Sequence, residues 1–174
     1  LDAVFSGCHS DGSLPGELKV QRRAAKLNRA LLNKSSYKTK DEWLELLQAQ
    51  PNDMETVTSW VSCFALAVNE VNASLGKIIT APTNGAAGVI PAILMYLKYL
   101  RKGFNKSMER DFLIVASLIG GIFKCGATIS AADGGCQAEI GVSSSMAAGA
   151  MCFCLGGSSE QVFMAAEIAM EHHL

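Results

Sequence analysis

Apolar residues at Met54, Val57, Val61, Phe64, Val68 and Val71 fall in alternating steps of three and four. That spacing lays one stripe along a helix, so the pattern predicts a long helix from Met54 to a break beginning at Gly76. Two apolar helices are predicted beyond the break, Gly85 to Lys102 and Ser107 to Cys125, joined by a loop at Gly103 to Lys106. After a second break, Gly126 to Gly135, a stretch rich in Ala, Ser and Gly predicts a helix from Cys136 to Leu155 that ends at Gly156-Gly157. Ser158, with Gln161 three positions on, opens a last helix as a capping box. Upstream, Ser13-Leu14-Pro15-Gly16 is a turn signal after a polar start, and a helix is expected from Glu17 to Asn33. Ser35 to Lys40 reads as a loop. Thr39 and Glu42 form a second capping box, opening a short helix through Leu47 that Pro51 and Asn52 punctuate. The two-residue alternation of strands is nearly absent. The expected fold is therefore all-α, a compact multi-helix domain around a buried, small-residue-rich central helix.

Composition sharpens this. The 174 residues are 49% hydrophobic but only 7% aromatic, the make-up of closely packed helices, and the length suits a single domain. The net charge of -1 argues against nucleic acid as the main partner. Residues 1 to 40 nevertheless carry eight basic and three acidic groups, and residues 41 to 174 carry seven and thirteen. Lys19, Arg22, Arg23, Lys26 and Arg29 would form one basic face of the first long helix, solvated or docked on another part of the protein. The windows Ile78 to Leu97 and Ile140 to Ser159 lack charge, but their Pro, Asn, Ser and Gly content points to buried helices and no membrane. Six cysteines without a C-x-x-C pair or a secreted-framework spacing, and no leader at Leu1, point to reduced thiols in a cytoplasmic protein.

The two breaks hold the candidate chemistry. Thr80-Ala81-Pro82-Thr83-Asn84-Gly85-Ala86-Ala87-Gly88 is a polar turn placed where an apolar helix is expected to begin. Helix-start N–H groups, with Thr83 and Asn84 as side-chain donors, suit a substrate carboxylate, although capping alone explains the same residues. In the second break Ser130, Asp133, Gly134 and Gly135 lead into Cys136. If Cys136 opens a helix, the N–H groups there favour the thiolate, with Glu139 one turn later as a general base or a cap. An inert thiol beside a glycine turn fits the spacing equally well. Cys152 and Cys154 face different directions on a helix and read as core packing, as do Cys63 and Cys125. Cys8 and His9 are weaker candidates. His172 and His173 diverge by about 100° on a helix, so at most one can share a site with Cys136.

Five segments in order carry a resemblance: Leu14-Pro15-Gly16 through Arg22-Arg23-Ala24, Phe64 to Glu70, Thr80 to Pro91, Gly135-Cys136-Gln137-Ala138-Glu139-Ile140-Gly141, and Ala165 to His172. Together they resemble the α (catalytic) domain of the bacterial iron–sulfur L-serine dehydratases, over nearly the whole chain. The resemblance implies conversion of L-serine to pyruvate and ammonia without pyridoxal phosphate, at a [4Fe-4S] cluster held by three cysteines with one iron open. By that resemblance the open iron acts as a Lewis acid on the serine hydroxyl while a base removes the α-proton. It also makes Cys136 the first cluster ligand and puts Thr80, Thr83, Asn84 and Gly85 beside the substrate; it assigns no base, and Glu139 and His172 are the nearby candidates for one.

The sequence departs from the family pattern in several places. The other two cluster cysteines are expected beyond Leu174, and the family's smaller α/β domain and the first part of its α domain are also absent. Asp133-Gly134 stands where Glu-Val is common, and His173 where Asn is frequent. The expectation is a fragment of the α domain, truncated at both ends, that binds no stable cluster and has no activity alone. The missing α/β domain and the C-terminal part of the α domain are its expected partners, with a homo-oligomer as the expected assembly. Two other readings remain: a related iron–sulfur cysteine desulfidase, and a non-catalytic helical module.

Overall fold

A computed structural model describes residues 1–174 apart from Lys34, Ala81 and Leu174. The described residues form helices α1 (Asp2–His9), α2 (Ala24–Leu31), α3 (Lys40–Gln48), α4 (Met54–Ala73), α5 (Val89–Met95), α6 (Lys106–Gly126), α7 (Ala131–Cys136), α8 (Val142–Cys154) and α9 (Ser159–Glu171). π-helical turns follow α5 (Tyr96–Leu100) and precede α8 (Gln137–Gly141). No strand occurs among the described residues, only an antiparallel bridge between Ser13 and Gln21. The all-α expectation holds.

Two cores divide the molecule. In the first, Trp43, Trp60 and Phe64 are fully buried among α1 to α4. Trp60 stacks on Phe64 at 5.4 Å between ring centres, and Trp43 meets it edge-on at 6.4 Å. Asn28, also buried, accepts from Trp43 Nε1 and donates to the Cys8 carbonyl and to Tyr37 Oη, so its amide is satisfied inside an apolar core. The second core has fewer aromatics. There α8 packs against α5, α6 and α9 through Val142, Met146, Ala147 and Ala150, and Ser145 Oγ donates to the Ala166 carbonyl at 2.7 Å. This is the expected central helix. Its end is also as expected: Gly156 has φ +88°, and the Gly157 N–H donates to the Cys152 carbonyl five residues back, a Schellman stop. Both capping boxes, at Thr39 and at Ser158, are formed.

Several expectations need correction. Residues 17 to 23 are not helical. Pro15-Gly16 turns the chain back, Leu14 N–H donates to the Val20 carbonyl and Arg22 N–H to that of Gly12, and these bonds claim the groups a helix would need. Helix α2 starts only at Ala24, where buried Glu70 of α4 accepts from the Arg23 and Ala24 N–H groups and so caps it. The five-residue basic face therefore does not exist: Arg22 bonds Ser74, and Arg29 pairs with Asp11 at 2.8 Å. The buried face of α4 is wider than the predicted stripe, because α1 and α2 cover it on one side and α5 on another. Phe64, Val68 and Val71 of the stripe are buried, but so are Trp60, Cys63, Ala67 and Glu70, and Met54 is 82% exposed. The polar start contains α1, whose Gly7 rests directly on the Ala67 backbone. The second break contains the short helix α7. Cys63 is buried, but Cys125 is exposed and belongs to no core. No single described helix is long and apolar enough to cross a membrane; α6 and the α7–α8 segment pass such a test only as a pair, bent by 92°.

Candidate active site

Gly135 is the hinge of the second break. Its φ of +68° and ψ of -162° lie in a region essentially confined to glycine, and they interrupt the helix just before Cys136. Cys136 thus begins a new helical run, the π-helical turn Gln137–Gly141 followed by α8, with its thiol exposed. The turn itself is not at the surface: Ala138 and Gly141 are buried and Gln137, Glu139 and Ile140 part-buried, so exposure here belongs to Cys136. All six cysteines are free thiols.

The π turn also delivers Glu139 to the other break. A methyl group placed on Gly85 would lie 3.0 Å from Glu139 Oε2 and 3.3 Å from Oε1, so the carboxylate rests against the bare Cα of Gly85. The two breaks, more than fifty residues apart in sequence, meet here. On the turn side, Thr80 Oγ1 donates to Asn84 Oδ1 at 2.7 Å, which leaves Nδ2 as the donor end of the Asn84 side chain. Thr83 Oγ1 is buried with no hydrogen-bond partner among the described residues. A buried hydroxyl without a partner costs about 1–3 kcal/mol, a cost relieved by any ligand that bonds it. Ala81, within the same motif, lies outside the described residues.

Helix α5 starts later than expected. Ala87 N–H donates to the Asn84 carbonyl and Val89 N–H to that of Ala86, so Asn84 to Gly88 are wound in tight i→i−3 turns and regular helix begins at Val89. The turn, rather than a helix end, presents Thr83, Asn84 and Gly85.

At the C-terminal end of α9, His172 is exposed and its Nδ1 lies 2.8 Å from its own helix's Ile168 carbonyl. The neighbouring His173 is half-buried, its Cβ 3.4 Å from where a methyl on Gly141 would sit. The sequence drew attention to His172, but it is His173 that touches the π turn. The signal was the 100° divergence of adjacent helical residues, which allowed either one.

Two cavities flank the site. One of about 220 Å³ lies beneath the Gly135 hinge between Phe123, Thr128, Gly134, Gln137, Ala138 and Met170. The other, about 610 Å³, runs from Leu1 along Ile78 to Thr80 and α5 to Leu113. Its lining is largely aliphatic and suits a small zwitterion less well than the polar seam of Thr83, Asn84, Gly85 and Glu139. Among the described residues no three His, Cys, Asp or Glu side chains converge as a metal site. Cys136 suits one ligand position, being an exposed thiol on an open helical turn. The described residues do not by themselves bring together a three-cysteine cluster site.

The serine dehydratase alpha chain family matches residues 1–174 in full. The chain belongs to that family. L-serine dehydratase 2 of Escherichia coli (strain K12) is 47% identical over 172 residues, covering 98% of the chain and 35% of the relative. The L-serine dehydratase of Streptomyces coelicolor is 45% identical over 171 residues, 98% of the chain and 34% of the relative. That of Helicobacter pylori (strain ATCC 700392 / 26695) is 42% identical over 176 residues, 100% and 36%. As a serine dehydratase alpha-chain sequence, the chain spans about a third of the length of the curated relatives it matches.

Proposed function

We propose that the protein to which these residues belong is an L-serine dehydratase, an L-serine ammonia-lyase that eliminates water from L-serine to give pyruvate and ammonia. The observation that carries the reading is the contact of Glu139 with Gly85, which joins the segment holding Cys136 to a polar turn with an unpartnered hydroxyl. In this reading Thr83, Asn84 and Gly85 receive the substrate, Thr80 holds the Asn84 side chain, and Glu139 takes the α-proton. Loss of the β-hydroxyl as water then gives aminoacrylate, which tautomerises to an imine and is hydrolysed to pyruvate and ammonia. His172 is the second candidate base; with Nδ1 engaged by its own helix, its Nε2 is the atom available to a substrate.

The cofactor in this reading is a [4Fe-4S] cluster, with no pyridoxal phosphate, and Cys136 is its first ligand. The other two thiolates belong to parts of the protein outside these 174 residues, which form one piece of the α domain. The protein is cytoplasmic in this reading and works as a homo-oligomer, its remaining α-domain and α/β-domain segments packed on the apolar faces of α6 and α9. Assay of the full-length protein, anaerobically reconstituted with iron and sulfide, tests the proposal. Pyruvate from L-serine is expected; sulfide release from L-cysteine with no pyruvate from serine would make it a desulfidase instead, and neither product would favour a non-catalytic module.

A further inference from the structure

The turn that presents Asn84 and Gly85 rests on one face of α4. Asn72 Nδ2 donates to the Asn84 carbonyl at 3.1 Å, and the same oxygen accepts from the Ala87 N–H at 3.3 Å. One helical turn earlier, Asn69 Oδ1 lies 3.0 Å from where a methyl on Gly88 would sit, and the Ala65 carbonyl lies 2.6 Å from it. Ala65, Asn69 and Asn72 follow the four-then-three spacing of a single helix face. Gly88 therefore has no room for a side chain, and Asn72 is the side chain that reaches out from that face to grip the turn's backbone. Because a trans peptide is planar, an Asn84 carbonyl held toward α4 turns the Gly85 N–H away from α4. That fixes the plane of the peptide against which the Glu139 carboxylate lies.

We infer that Asn72 is a positioning residue: it orients the Asn84–Gly85 peptide so that the turn and Glu139 form one substrate-binding surface. The inference rests on the proposed serine site, and it makes Asn72 act through Asn84 and Gly85 without touching substrate. A carboxylate at 72 keeps the size of the side chain but loses the donor and repels the carbonyl. In the reconstituted full-length protein, Asn72→Asp should raise KM for L-serine by about tenfold and change kcat by less than about threefold, the loss of roughly one hydrogen bond in binding. Cluster absorbance and Tm should stay near those of the unaltered protein. Amide exchange of residues 84–88 in the same variant should be faster, and this readout needs no turnover. Asn72→Gln, which keeps an amide donor, should recover most of the KM and most of the protection. A wild-type KM together with wild-type exchange in Asn72→Asp would overturn the inference. If Asn72→Asp does not fold, a tenfold loss in Asn72→Gln equal to that in Asn72→Ala would overturn it. Absence of serine turnover in the unaltered protein would sink the proposed reaction instead, and the exchange comparison would still decide the role of Asn72.

Discussion

The two cores are built differently. The α1–α4 half closes around Trp43, Trp60 and Phe64, with the polar atoms of Asn28 and Glu70 satisfied inside it. The α6–α9 half packs small residues along α8 and leaves large apolar side chains in the open. Leu113, Ile114, Leu118 and Ile122 on α6 are exposed, as are Phe163, Met164 and Ile168 on α9. On each helix these positions recur at helical spacing and form a face. The first half completes its own core; the second, which carries Cys136 and Glu139, is shaped like part of a larger assembly. The candidate site lies where the halves meet, at the turn leaving α4 and the turn entering α8.

Substitutions should separate the halves most sharply. Trp43→Ala or Phe64→Ala should destabilise the 174-residue chain by about 3–5 kcal/mol in urea denaturation, because a packed aromatic leaves a cavity. Leu118→Ala or Ile168→Ala should change it by less than about 0.5 kcal/mol. The same two changes should cost measurably more in the full-length protein if its other segments cover these faces; equal small costs in both would break the comparison. Next in size is Gly135→Ala, which should cost about 1–3 kcal/mol by forcing an alanine into the glycine-only conformation, read as a lowered urea midpoint. The caps are a control common to both halves: Thr39→Ala and Ser158→Ala should each cost about 1 kcal/mol.

The smallest effect concerns pH. The hydrogen bond from Lys98 to Glu109, at 2.8 Å, raises the Lys98 value above that of a free lysine and ties the π turn after α5 to α6. A raised lysine stabilises the fold fully below the unfolded-chain value and loses that contribution as pH rises through the folded one. Glu109→Gln should therefore be less stable than the unaltered chain at neutral pH, by under about 1 kcal/mol for so exposed a pair, and the gap should close above roughly pH 10.5. A gap that widened with pH would reverse the assignment.

How much of this was legible in the sequence depended on the range of the forces involved. The capping boxes at Thr39 and Ser158 and the glycine stop after α8 are local, and all of them form; the break before Cys136 falls at Gly135 as expected, but the short helix α7 occupies its second half. The fate of residues 17 to 23 was decided by Glu70 and by a turn bond to Gly12, partners that no helical window contains. The buried face of α4 is wider than its apolar stripe for a similar reason, since α1, at a polar start, covers one side of it. At the site, the sequence drew attention to both breaks. Their meeting through Glu139 and Gly85, and the grip of Asn72 on the turn, depend on the packing of α5 against α8 and of the turn against α4. The sequence also marked the Glu171-His172 end of α9, but which histidine reaches the π turn is a matter of helix rotation.

The central claim is that Cys136 holds an iron–sulfur cluster at which serine is dehydrated. Its most direct test is Cys136→Ser in the full-length protein, reconstituted anaerobically beside the unaltered protein, with iron, sulfide and pyruvate formation measured on the same samples. Because the thiol is exposed, the variant should fold with nearly unchanged stability. The account predicts loss of the cluster absorbance and of serine turnover together. A folded Cys136→Ser protein that kept a stoichiometric cluster and formed pyruvate at the unaltered rate would contradict it.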